Sequence, residues 1–194
     1  MLPTLRLRVL LLSATVLLSA CSGGVAAASF EPGSACTSDG RFAGAYPDLE
    51  ALVPGAYRGD APQTLDSGRN CTAAGLGSLA ADGVKEVRFA GGTWTFGSER
   101  ALVMAVFRGD GLDGDKLAKF YAAGAAANAR TTIDGQTTPT VAGRPGHRLD
   151  TTTSERTQTV VTWPAMQPNM VNVVITNDLP DARIQDAIDA FGGR

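Results

Sequence analysis

The chain contains one imidazole, His147, within Gly143-Arg-Pro-Gly-His-Arg-Leu-Asp150. A hydrolytic triad would need that base beside an activated hydroxyl or thiol, with a carboxylate behind it. The sharp elbow that presents a nucleophilic serine is missing, because Gly75-Leu-Gly-Ser78-Leu-Ala80 fails at both flanking positions. His147 therefore reads as a turn or strand residue, and an envelope hydrolase is the weakest of the functional readings. Asp110-Gly-Leu-Asp113-Gly-Asp115 suggests a calcium loop, which wants oxygen ligands at its third and fifth places, Gly at the sixth and Glu at the twelfth. Those places hold Leu112, Gly114, Asp115 and Tyr121. The same residues suit a turn into a helix, with Asp113 as N-cap and acids at the helix's positive end. No metal and no cofactor is expected. Arg-Gly-Asp at Arg58–Asp60 and Arg108–Asp110 reads as chance in a chain rich in these residues, and Asn70-Cys-Thr72 matches a glycosylation pattern.

Aromatic and sulfur side chains stand out more. Gly91-Gly-Thr-Trp94-Thr-Phe96-Gly97 and Trp163-Pro-Ala-Met166-Gln-Pro168-Asn-Met170 place large apolar groups beside turns. Core packing accounts for both. The sharper reading makes Trp163 and Met166 a stiff, exposed contact tip for a partner, since tryptophan is enriched in binding hot spots and methionine adapts its shape.

Three cysteines remain, Cys21, Cys36 and Cys71. The first follows a particular opening. Arg6 and Arg8 precede an apolar run from Val9 to Leu18, broken only by Ser13, Ala14 and Thr15. About ten residues make roughly 15 Å of helix, too short for a bilayer core of about 30 Å but suited to a secretory signal. Leu18-Ser19-Ala20-Cys21 then resembles the lipobox of bacterial lipoproteins. The resemblance implies removal of residues 1–20 and transfer of diacylglycerol to the Cys21 thiol. Two or three acyl chains hold a protein where one does so only marginally. The product would be anchored on the outer side of the cell membrane or in the outer membrane. Ser22 stands where an inner-membrane retention signal would place Asp. The remainder resembles, in its order of elements, small lipoproteins of high-GC bacteria.

Outside the cytoplasm thiols oxidise, and an even pair invites one bridge. Cys36–Cys71 would stabilise the fold by roughly 3–4 kcal/mol through loop closure. Lys and Arg number 17 against 19 Asp and Glu, for a net charge of −2, and the bases are scattered along the chain. Nucleic acid and anionic headgroups are therefore not expected partners.

The elements that must position these residues follow from periodicity. Residues 21–40, rich in Ala, Ser and Gly, read as a lipidated flexible tether, and 41–194 as a single domain. Residues 46–54 suggest a short helix stopped by Pro54, 63–66 an edge strand, and 70–81 a helix carrying Leu76 and Leu79. Residues 85–90 alternate as a half-buried strand, and 101–107 are apolar on both faces, as in a central strand. A helix from Asp113 to about Arg130 carries Leu117, Phe120, Tyr121 and Gly124 on one stripe. Polar strands at 131–140 and 143–153 turn at Asp134-Gly135 and Pro145-Gly146. Two strong strands at 157–163 and 170–176 precede a last helix at 180–191, with Ile184, Ala187, Ile188 and Phe191 on one face. Leu112 and Leu117 follow strand 102–107 as Leu179 and Ile184 follow strand 171–176, a weak internal repeat.

These patterns predict an α+β domain, an antiparallel sheet with two principal helices packed on one face. The residues favour a non-enzymatic binding or interaction module of the cell envelope, with an envelope protein or a lipid as partner. The alternative is a lipid or small-molecule carrier with an apolar pocket between sheet and helices, lined by Leu117, Phe120, Val106 and Ile184.

Overall fold

The two most apolar strands of the chain lie side by side at the centre of one antiparallel sheet. The computed structural model describes residues 30–154 and 156–192. The signal segment, Cys21 and the first part of the expected tether lie outside the described residues. The order of elements is β1 (Gly40–Phe42), α1 (Pro47–Glu50), β2 (Thr64–Asn70), α2 (Ala73–Leu76), α3 (Ser78–Ala81), β3 (Val87–Phe96), β4 (Arg100–Arg108) and α4 (Gly114–Ala127). Then come β5 (Thr131–Thr137), β6 (Thr140–Val141), β7 (Arg144–Pro145), β8 (His147–Thr153), β9 (Arg156–Pro164), β10 (Met170–Asn177) and α5 (Asp181–Ala190). Eight strands form one sheet in the order β1-β2-β3-β4-β10-β9-β8-β5, and β6 and β7 make a separate small ladder.

β4 and β10 pair in unbroken register from Met170↔Arg108 to Asn177↔Ala101. Their side chains alternate between two cores, as strand geometry demands. Leu102, Met104, Val106 and Val174 belong to one core with Trp94, Trp163 and Ile184. Ala105, Val171 and Val173 belong to the other with Leu117, Leu149 and Val160. The sheet is thus covered on both faces, which explains why its central strands lack polar alternation.

The α+β architecture and the antiparallel sheet are as expected, but the two principal helices are not on one face. Leu117 of α4 packs in one core, whereas Ile184, Ala187, Ile188 and Phe191 of α5 and its C-terminus pack in the other. The internal repeat supplies the reason. The offset that matches Leu112 with Leu179 and Leu117 with Ile184 also matches Met104 with Val171 and Val106 with Val173. Those strand residues face opposite sides of the sheet. Equal spacing from strand to helix, with the strand phase reversed, delivers the two helices to opposite faces.

The segment expected to be a tether up to residue 40 is built into the domain from Phe30 onward. Phe30 packs edge-on against Phe42 at 5.5 Å and at a tilt against Tyr46 at 6.0 Å. It sits directly over Gly40, where any Cβ would collide with it. The Arg69 guanidinium lies 4.7 Å above the Phe30 ring and donates to the Ser34 carbonyl at 2.7 Å. Cys36 and Cys71 form the expected disulfide, with Cα atoms 6.1 Å apart. Asp39 accepts hydrogen bonds from the backbone of Cys71 at 2.7 Å and of Thr72 at 2.9 Å.

Other departures are local. β3 runs through Gly91 and Gly92 to Phe96, because the missing Cβ of Gly92 leaves room for the Trp94 ring. Gly77, at φ +50°, splits the helix expected at 70–81 into α2 and α3. Asp134-Gly135 is a bulge within β5 instead of a turn, a common device on edge strands. Asp113 caps α4 as expected, its side chain accepting from Lys116 N.

Candidate functional site

Trp163 is 1% exposed. It points into the core from β9 and meets Phe191 edge-on at 5.1 Å. The reading of Trp163 as a partner contact is thereby corrected: strand alternation from Val161 carries it inward, and the aromatic end of α5 covers it. Met166 stands alone on the β9–β10 hairpin at 70% exposure.

The larger opportunity lies under α4, which packs across β5, β8 and β9. Its first turn is tied down. The Thr162 hydroxyl donates to the Gly114 carbonyl at 3.3 Å, and Leu117 is fully buried. Beyond Tyr121 the helix reads Ala-Ala-Gly-Ala-Ala-Ala. Such small side chains leave space between that half of the helix and the sheet, and two adjoining clefts lie under α4. One, of about 600 Å³, runs beneath the C-terminal half of α4, between Phe120, Gly124 and Asn128 on the helix and Leu149, Thr151 and Gln158 on the sheet. The other, of about 270 Å³, lies beneath the N-terminal half, between Asp115 and Lys119 on the helix and Gln136, His147 and Arg148 below. Tyr121, Leu149 and Val160 line both. The pair is one trough along a helix about 21 Å long, apolar in the middle and polar at each end.

The pocket anticipated between Leu117, Phe120, Val106 and Ile184 does not form. Val106 and Ile184 belong to the opposite face of the sheet, and Leu117 fills its own core. Of that set, only Phe120 reaches the trough.

Two residues bear on how the trough could be used, Gly124 and Tyr121, whose ring packs edge-on against Phe120 at 5.5 Å. Gly124 sits inside α4, where glycine costs roughly 1 kcal/mol relative to alanine. A Cβ there would meet nothing within 4 Å, so close packing does not require the glycine. Tyr121 presents a hydroxyl with no hydrogen-bond partner among the described residues, and burial pushes its pKa upward. The polar ends carry charge. At one, Arg156 pairs with Glu99 at 2.7 Å and with Asp178 at 3.2 Å. At the other, Lys119 bonds Asp115 at 2.6 Å. That hydrogen bond is the main reason the Asp115 carboxyl sits below its ordinary range.

His147 lies at the Asp115 end of the trough. Among the described residues no serine, threonine or cysteine side chain hydrogen-bonds to its imidazole, and the hydroxyl of its cross-strand neighbour Thr162 is engaged by Gly114. Ser78, the nearest text to a nucleophile motif, is half-buried in α3 with its hydroxyl oxygen buried and unpaired, and it lines neither cleft. Among the described residues no cluster of three or more His, Cys, Asp or Glu could hold a metal.

The fold does gather bases that look scattered in sequence. Arg69, Arg88 and Arg108 are direct cross-strand neighbours on β2, β3 and β4. Like charges so placed repel, and each is answered separately. Arg69 is answered by carbonyls of residues 34–35, Arg88 by Glu86 at 2.8 Å and Arg108 by Asp48 at 2.8 Å. Arg88 and Arg108 are ion-paired and Arg69 is buried, so among the described residues the row presents no open basic patch.

Sequence reasoning placed Phe120, Tyr121 and Gly124 on one helix stripe and put Phe120 in a pocket between sheet and helices, but drew that pocket with Val106 and Ile184, which lie on the other face. The signal that would have found the trough is the run of small residues after Tyr121, which cannot bury a sheet. Compared with known proteins, the chain matches no protein-family model and no curated relative.

Proposed function

We propose that the protein is a lipid-anchored extracytoplasmic binding module whose ligand lies in the trough under α4. The observation that carries this reading is the open space itself, kept by Gly124 at a cost to the helix and faced by the unpartnered Tyr121 hydroxyl. A ligand suited to it is elongated and amphipathic. Its apolar segment would cover Leu149, Val160 and Phe120, a polar group would reach Tyr121, and further polar groups would meet the Thr, Gln and Asn side chains toward the ends. The address rests on the lipobox residues Leu18–Cys21. The Cys36–Cys71 bridge is in keeping with it, since disulfides persist in oxidising compartments. Among the described residues no helix is long and apolar enough to cross a membrane, and in this reading the Cys21 lipid is the anchor.

The test uses Gly124→Leu. A Cβ at this position meets nothing within 4 Å, so leucine is accommodated at the trough wall and improves helix propensity. The variant keeps or gains stability while blocking the space. Native mass spectrometry of wild-type protein isolated from its own envelope should show a bound small molecule that the variant lacks. A stable variant that retains the same bound species would refute the site. Wild-type protein that carries nothing, and shows no thermal shift with amphipathic probe molecules, would refute the function.

A further inference from the structure

We infer that the domain stands on its β1 edge against the bilayer that anchors it, with Phe42 and Leu65 in the headgroup layer and the trough turned away. The inference rests on the lipid-anchor reading of Cys21 and adds to it an orientation and a direction of ligand entry. Its first support is where the chain enters the fold. Phe30 is fixed over Gly40, against Phe42 and beneath Arg69, and Cys36 is bridged to Cys71. Entry is therefore at the β1–β2 end of the sheet, and only the chain from Cys21 to Phe30 separates that end from the lipid. About nine residue steps reach at most about 30 Å.

The second support is the strand order. β1 is one edge of the sheet and β5 the other. Seven strand-to-strand steps of about 4.8 Å separate them by roughly 34 Å. The trough lies over β5, β8 and β9, at the far edge. The chain that follows Cys21 is too short for the domain to stand inverted on β5.

The third support is the surface at the near edge. Phe42 is 45% and Leu65 36% exposed. They share one face, since Phe42 pairs with Ser67 and Leu65 is two residues from Ser67 on the same strand. Arg41, beside them, is neutralised by Asp66, so the contact is apolar and suits the interface of a bilayer irrespective of its charge. A trough facing away from the membrane receives its ligand from the aqueous or wall side, not by lateral entry from the anchoring bilayer.

The experiment uses the processed, full-length lipoprotein reconstituted in phosphatidylcholine vesicles with brominated acyl chains. Phe42→Trp and Thr132→Trp, at exposed sites on β1 and β5, report the two edges above the common background of the native tryptophans. The added emission of Phe42→Trp should be quenched about twofold more than that of Thr132→Trp. The intact mass of each sample is read in parallel. An acylated protein in which Thr132→Trp is quenched as strongly as Phe42→Trp, or Phe42→Trp is not quenched, overturns the orientation and leaves the binding reading standing. A protein without acyl mass overturns the anchor reading, and the orientation falls with it.

Discussion

Trp163→Ala should be among the most damaging single changes in the domain. The indole is 1% exposed, faces Phe191 at 5.1 Å and shares a core with Val161, Val174 and Ile184. A buried tryptophan removes roughly 200 Å² from water, worth about 5 kcal/mol at 25 cal/mol per Å². Measured truncations of large aromatic residues cost about 3–5 kcal/mol once the surroundings relax. For a domain of this size that is a fall in Tm of roughly 10–15 °C. Urea unfolding followed by circular dichroism measures it without depending on the deleted fluorophore. Trp163→Phe keeps a ring against Phe191 and should lose well under half as much. Met166→Ala, on the same hairpin but 70% exposed, should stay within about 0.5 kcal/mol of wild type. If Trp163→Ala unfolds at the wild-type urea concentration, or Met166→Ala is equally harmful, the burial argument is wrong and the hairpin returns as a contact surface.

Reduction of Cys36–Cys71, or the double change to serine, should lower stability by roughly 3–4 kcal/mol in the chain-entropy model, measured as a shift in urea midpoint. Gly124→Ala should raise stability by about 0.5–1 kcal/mol; a loss would mean the helix needs glycine there for packing. Burial acts to raise the pKa of Asp39, but hydrogen bonds from the Thr72 hydroxyl and the Thr72 and Cys71 backbone outweigh it and hold the carboxyl below its ordinary value. Its contribution is therefore full at neutral pH and is lost as pH falls through the lowered pKa. Asp39→Asn should cost stability at pH 7 and progressively less toward acid; equal losses at both ends would refute the linkage. Gly40→Ala should force Phe30 from its seat and cost about 1–3 kcal/mol, with faster proteolysis ahead of Cys36.

Elements with strong internal signals were legible in the sequence. β4 was recognisable because it is apolar on both faces, α4 because Asp113 precedes an amphipathic stripe, and the β9–β10 hairpin because two apolar strands flank two prolines. The side taken by each helix was not legible. When central strands are apolar on both faces, a helix stripe fits either one, and only the strand phase decides. β3 was cut short because Gly91-Gly92 resembles a turn, while in the fold Gly92 seats the ring of Trp94, two residues further on. The tether was overextended for a related reason. Its small polar residues gave no sign that Phe30 would find Gly40 and Arg69, partners supplied by strands not yet formed at that point of the chain. The trough depends on side chains that are absent, and hydrophobic periodicity registers only those that are present.

The central pairing has a consequence for how the chain comes to be folded. β4 is flanked by β3 and β10, and β10 is the last strand of the chain. A nascent or partly unfolded molecule can assemble β1 to β4 as a local meander, but β4 then ends that meander with an open row of amides and carbonyls. This is the apolar segment Ala101-Leu-Val-Met-Ala-Val-Phe107, the kind of edge that recruits strands from other molecules. Only residues 170–177 silence it, so any event that delays or removes the C-terminal hairpin, such as truncation or early proteolysis, leaves a self-associating half rather than a merely weakened domain.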